Sequence, residues 1–113
     1  MKKLRSVIED ILRELGIPFY FIQYASAGEK EDPYIVFTIY EYPIFHADGE
    51  EDITRSTVSF TLHGTDEDRL RSLARSLDAS LKEADFTAAG RSWWGDAGYP
   101  AFLSLTLDYH YDE

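Results

Sequence analysis

Apolar residues recur along the chain first at helical spacing, then at strand spacing, then at helical and strand spacing again. Leu4, Val7, Ile8, Ile11, Leu12 and Leu15 stand three and four positions apart, which predicts one apolar stripe on a helix over residues 3–15. Gly16 suits a left-handed C-terminal cap and Pro18 cannot continue a helix, so the stop is predicted there. Phe19 to Tyr24 is aromatic and β-favouring and predicts a first strand, followed by a small, charged connection from Ala25 to Pro33. From Tyr34 to Tyr42 the alternation is plain. Ile35, Phe37 and Ile39 point one way, and Tyr34, Val36, Thr38, Tyr40 and Tyr42 point the other. Both faces are fairly apolar, as in a central strand or in one whose second face meets another protein. Between Thr54 and His63, Val58, Phe60 and Leu62 alternate with Thr57, Ser59, Thr61 and His63, so one face only is apolar.

A second helix is predicted after Gly64, with Thr65 as N-cap, Asp68 at capping-box spacing, and Asp66, Glu67 and Asp68 at the positive end of its dipole. Its buried stripe is Leu70, Leu73, Ala74, Leu77 and Leu81. Two further strands follow, Phe86 to Trp94 and Ala101 to Tyr111, around a Gly-Asp-Ala-Gly turn at 95–98. In the last, Leu103, Leu105, Leu107, Tyr109 and Tyr111 share a face opposite Ser104, Thr106, Asp108 and His110. The order α-β-β-β-α-β-β, with mostly short connections, predicts an α+β fold: a largely antiparallel sheet with both helices packed on one face. At 113 residues the chain is long enough for one core and too short for two, so residues 1–113 form a single domain.

One connection is out of proportion. Pro43 to Ile53 joins two strands that two to five residues would normally join, and it predicts a long acidic hairpin loop. It carries Asp48, Glu50, Glu51 and Asp52 around Gly49. From Glu29 through Asp52 there are eight acids and one base, a net −7 out of a formal −10 for the whole chain. The loop reads either as a solvated hairpin tip, as an arm reaching a partner or an enclosed space, or as a calcium loop. The run D-G-E-E-D lacks the alternating ligand spacing of an EF-hand.

Composition narrows the classes. Hydrophobic residues at 44% and aromatic ones at 15% exclude a disordered acidic tail. The acidic balance argues against gripping nucleic-acid phosphates, which requires Lys and Arg. No apolar run approaches the ~18 residues of a membrane span, and no secretory apolar region follows Met1-Lys2-Lys3. The absence of cysteine removes disulfides, zinc-finger sites and thiol nucleophiles, and fits a reducing compartment.

Catalytic signatures are sparse: no nucleophile elbow, no glycine-rich phosphate loop and no H-E-x-x-H. Neighbouring strands would bring His63 and His110 together, with Asp108 near, as part of a metal or acid–base site; the plainer reading is two half-exposed surface histidines. Trp93-Trp94 would stack a ligand ring, or set one ring in the core and the other at a rim. Tyr34, Tyr40, Tyr42, Tyr109 and Tyr111 supply rings suited to subunit contacts as well as to a core.

The arrangement as a whole resembles a known family. The features are a short helix ending Leu15-Gly16-Ile17-Pro18, an acidic linker into Pro33-Tyr34-Ile35-Val36-Phe37, and a long charged loop. Val58-Ser59-Phe60-Thr61-Leu62-His63-Gly64, the Leu70–Leu81 helix and a closing strand ending Tyr109-His110-Tyr111 follow. In this it is similar to the tail-completion (head-to-tail joining, tail-terminator-like) proteins of long-tailed bacteriophages and their prophages. The resemblance implies a non-enzymatic structural subunit of a homo-oligomeric, usually hexameric, ring. It also implies that the subunit caps the tail tube against the connector and tail-tube proteins, in a virion assembled in the bacterial cytoplasm. No catalytic residue, metal or cofactor follows from it. DNA would pass through without specific binding, and an acidic lining repels phosphates. His46, Asp48, Glu50, Glu51 and Asp52 would face the lumen or a partner; Tyr34, Tyr40, Tyr42, Trp93 and Trp94 are the subunit-interface candidates. A small protein-binding module acting through the acidic loop is the alternative. A ligand-binding domain or enzyme at Trp93-Trp94 and His63/His110 is a further one.

Overall fold

A computed structural model describes residues 4–21, 32–45, 51–95 and 103–112; the side chains at 42–45, 51–54, 95 and 112 lie outside that description. The elements are α1 (Leu4–Leu15), β1 (Phe19–Phe21), β2 (Tyr34–Phe45), β3 (Glu51–Gly64), α2 (Glu67–Glu83), β4 (Thr87–Gly95) and β5 (Leu103–Asp112). They form an α+β fold in the predicted order, with a five-stranded sheet arranged β1-β2-β3-β5-β4. Among the described residues only β1 runs parallel to its neighbour, pairing Phe19 to Phe21 with Ile35 to Phe37, and the other pairings are antiparallel.

Each helix forms because an apolar stripe has a sheet to cover. Leu4, Ile8 and Leu12 of α1 and Leu70, Ala74, Leu77 and Leu81 of α2 are buried with Ile35, Phe37, Val58, Phe60, Leu62, Leu105, Leu107 and Tyr109, which are the alternate residues of one sheet face. Both helices therefore lie on that face. Above β1, the guanidinium of Arg5 sits 4.1 Å from the Phe21 ring centre and that of Arg13 5.9 Å from Phe19. Over β4, Arg71 of α2 stands 4.8 Å from the Trp93 ring. Gly16 ends α1 at a φ of 72°, donating its N–H to the Arg13 carbonyl at 3.0 Å, as its position before Pro18 implied.

The start of α2 is a correction. Asp66, not Thr65, is the N-cap: its carboxylate accepts the Arg69 N–H at 3.2 Å. Thr65 is engaged elsewhere, because the Asp32 carboxylate takes both its N–H at 3.1 Å and its hydroxyl at 2.5 Å. At the other end Asp85 adopts a φ of 71°, and Phe86 donates its N–H to the Leu81 carbonyl at 2.9 Å while its ring turns into the core.

Tyr109 ties α2 to the sheet. Its hydroxyl donates to Asp78 at 2.7 Å, and Lys82 pairs with the other carboxylate oxygen at 3.1 Å. The Tyr109 hydrogen bond, then Lys82, hold the Asp78 carboxyl below its ordinary value against the opposing pull of burial. Burial first, then Asp78, push the Tyr109 phenol above its own. A depressed carboxyl contributes stability that is present above its unfolded pKa and lost as pH falls through the folded one. A raised phenol contributes stability that is present below its unfolded pKa, near 10, and lost as pH climbs through the folded one. Tyr109→Phe is accordingly expected to cost about 1–2 kcal/mol at neutral pH. Urea unfolding from pH 3 to 11 should show the difference from the parent shrinking at both ends. A constant difference across that range would show that Asp78 and Tyr109 are not coupled.

The acidic connection is also shorter than its composition implied. β2 runs to Phe45 and β3 starts at Glu51, with Pro43 opposite Thr54, Ile44 opposite Ile53 and a register shift before Phe45. Only residues 46–50 are left to join them, within the usual span. Pro43 misleads because proline normally ends a strand. Here it is tolerated for a reason of direction. The Ile35 N–H points to the β1 side, donating to Pro18 at 2.9 Å, and alternation sends the nitrogen of Pro43 to that same side. Among the described residues, β1 pairs only with residues 35–37, so no ladder bond is lost at Pro43.

Candidate interaction face

The side of the sheet away from the helices carries a polar ladder. Antiparallel register sets β3 and β5 residues directly opposite, and four such pairs are bonded through their side chains. Thr57 Oγ1 lies 3.1 Å from His110 Nδ1, and the Ser59 hydroxyl donates to Asp108 at 2.6 Å. Thr61 and Thr106 meet at 3.3 Å, and Ser104 Oγ lies 2.9 Å from His63 Nδ1. These residues are half-buried, and no buried side-chain polar atom among the described residues lacks a partner. The ladder explains how the face stays soluble without a covering helix: its hydroxyls satisfy one another and still reach water.

Toward β1 the same face becomes aromatic. The Tyr34 ring stacks on His63 with centres 4.6 Å apart, and Tyr20 meets Tyr34 edge-on at 6.1 Å. The reverse is thus apolar over β1 and the start of β2, and hydroxylic over β3 and β5; it is not apolar throughout, as the pattern in Tyr34–Tyr42 alone implied. Tyr34 is buried within the subunit, at 3% exposure, and presents no ring outward. Tyr40 and Trp94 do, at 68% and 65% exposure. Trp93 points to the helix side beside Leu105 and packs against the core, so the two tryptophans divide between core and rim. The Tyr42 side chain lies outside the described residues.

Beyond the Arg55–Asp112 pair, which is the last that β5 makes, β2 and β3 continue as a two-stranded ribbon. At about 3.3 Å per residue its three further pairs, Pro43–Thr54, Ile44–Ile53 and Phe45–Glu51, project about 10 Å past the sheet. The backbones of Glu51 and Asp52 begin β3 at its far end. His46, Asp48 and Glu50 lie outside the described residues, as does most of the D-G-E-E-D run.

The histidine pairing considered from sequence does not form. His63 and His110 share a face, but His110 stands opposite Thr57, six residues from His63 along β3, so the rings are about 20 Å apart. Each is bonded to a different hydroxyl. Asp108 is taken up by Ser59 and stands apart from His63. Among the described residues no group of three or more His, Asp or Glu is placed to hold a metal ion, and no helix is long and apolar enough to cross a membrane. A cleft of about 260 Å³ between the helices, lined by Ile11, Glu14, Ser80, Glu83 and Ala84, opens broadly to solvent.

The alternation of β3 and β5 placed the ladder residues on one face of each strand, but their register, and with it the pairs, was not legible. Neither family models nor curated proteins match the chain. Among solved structures, one chain whose designation names no function superposes with a TM-score of 0.50. It is 15% identical, over 95% of this chain and 92% of that one. At that identity the likeness is one of fold.

Proposed function

We propose that the protein is a structural ring subunit of a phage or prophage head-to-tail (tail-completion) complex, which caps the tail tube and lines the channel through which DNA leaves. One observation carries the reading. Both helices lie on one face, so the reverse of the sheet and the β2–β3 ribbon are left uncovered by either helix. Closing a ring requires two different patches on each copy, and that face and the ribbon are two such patches. The ribbon stands within the segment that holds most of the net charge, and negative charge along a lumen lets DNA pass without pairing to its phosphates. The subunit works by shape and charge, with no catalytic residue, metal or cofactor. Its partners are copies of itself and the connector and tail-tube proteins, assembled in the bacterial cytoplasm and carried in the virion.

Native mass spectrometry and negative-stain microscopy at high protein concentration test the reading. The expected result is a closed, hexameric ring. A monomer at every concentration, with a tail-tube protein present as well as absent, contradicts it and favours a single-copy protein-binding module that acts through the ribbon.

A further inference from the structure

The outer edge of β4 is built to pair. Among the described residues β4 bonds only to β5, and residues 87–92 and Trp94 are exposed. The direction of its backbone groups follows from one observed bond. The Ile35 N–H points toward β1, so in the row Ile35, Leu62, Leu105, Trp93 successive strands alternate. That alternation sends the N–H and C=O of Trp93 outward, and period two does the same for Arg91. Natural edges are usually blunted by charge, proline or a bulge. β4 has a bulge between Ala88 and Gly90, but from Gly90 to Gly95 it holds no acid and no proline, in a chain with 21 acids.

We propose that this edge pairs with the same edge of a second copy, antiparallel about a two-fold axis at Ser92, joining the two sheets into one. The segment Gly90-Arg91-Ser92-Trp93-Trp94 is complementary to itself in that register. On the helix side Arg91 of each copy stands opposite Trp93 of the other, a cation over an aromatic ring. On the reverse side Trp94 stands opposite Gly90, where a Cβ would meet nothing nearer than Asp108 at 3.8 Å, so there is room for a ring. The outward N–H and C=O groups of Arg91 and Trp93 form two bonded pairs flanking the axis. A register centred on Arg91 would oppose two guanidiniums, and one centred on Trp93 would leave Gly90 uncovered. Two chains of charge −10 meet here away from Glu41, Glu51 and Asp52, because β2 and β3 lie on the other side of β5. Only a short stretch is buried, so the dimer is weak and concentration-dependent. The contact closes at two copies and builds no ring, so it stands or falls apart from the ring reading.

Ser92→Cys tests it in a chain with no other thiol. On the axis, the two residues form a non-bonded antiparallel pair with Cα atoms about 4.5 Å apart, within disulfide reach. Under mild oxidation at high protein concentration, Ser92→Cys should cross-link to a species of twice the chain mass faster than Thr87→Cys, an exposed control on the same strand. Adding Trp94→Glu should slow Ser92→Cys to the control rate with an unchanged melting temperature, while adding Tyr40→Glu should not. Equal rates for the two single-cysteine variants, or indifference to Trp94→Glu, would overturn the proposal.

Discussion

Phe37→Ala is expected to lower stability by about 3–5 kcal/mol, a large share of the 5–15 kcal/mol that holds a domain together. Phe37 is fully buried where three rings converge, its centre 5.0 Å from Phe21, 6.4 Å from Phe19 and 6.2 Å from Phe60. Removing it opens a cavity between β1 and the centre of the sheet, and backbone pairing on both sides of β2 prevents collapse into the space. β1 is three residues long and rests on β2 through these rings, so its pairing should loosen first. Urea unfolding followed by tryptophan fluorescence gives the loss; amide exchange at Phe19 to Phe21 gives its location. Phe37→Leu keeps most of the volume and should cost less than about 1.5 kcal/mol. A loss below about 1 kcal/mol for Phe37→Ala would mean that the aromatic cluster contributes little.

Gly64→Ala should cost about 1–3 kcal/mol, although it adds a single carbon. That carbon would stand 3.0 Å from Asp32 Oδ1, 3.1 Å from Leu70 Cδ2 and 3.3 Å from Pro33 Cβ. Two of the three belong to the turn that enters β2, and Leu70 is locked in the core. The Asp32 carboxylate is itself held by the N–H and hydroxyl of Thr65, so moving it away breaks the contact that fastens the start of β2 to the end of β3. The two effects are therefore coupled. Asp32→Ala alone should cost about 1 kcal/mol. Combined with Gly64→Ala it should cost less than the sum, because one of the crowded atoms is then gone. Thermal unfolding of the two single variants and the double closes the cycle. Strict additivity would show that the Asp32 contact plays no part in the cost.

Periodicity made both helices, the core faces of β3 and β5 and the element order readable from sequence, because each rests on local alternation against a buried surface. Ends decided by distant residues were not readable. Thr65 looked like the cap of α2, and only the approach of Asp32, 33 positions earlier, shows why Asp66 takes that place. Pro43 looked like the end of β2, because the rule against proline in strands depends on which side its nitrogen faces, and that depends on the position of β1. Tyr34 looked like an outward ring; Tyr20 and His63, on neighbouring strands, enclose it. The ladder from Thr57–His110 to His63–Ser104 shares that origin: composition shows the hydroxyls, and register alone pairs them.

The proposed role requires one side of the sheet to serve the subunit's own core while the other serves its neighbours. Tyr40→Glu tests this most directly, since it places a like charge on that outer side at a residue 68% exposed. Measured together by native mass spectrometry and thermal unfolding, the variant should remain folded with an unchanged melting temperature and fail to close the ring. Rings that form as before, or a melting temperature that falls sharply, would contradict it.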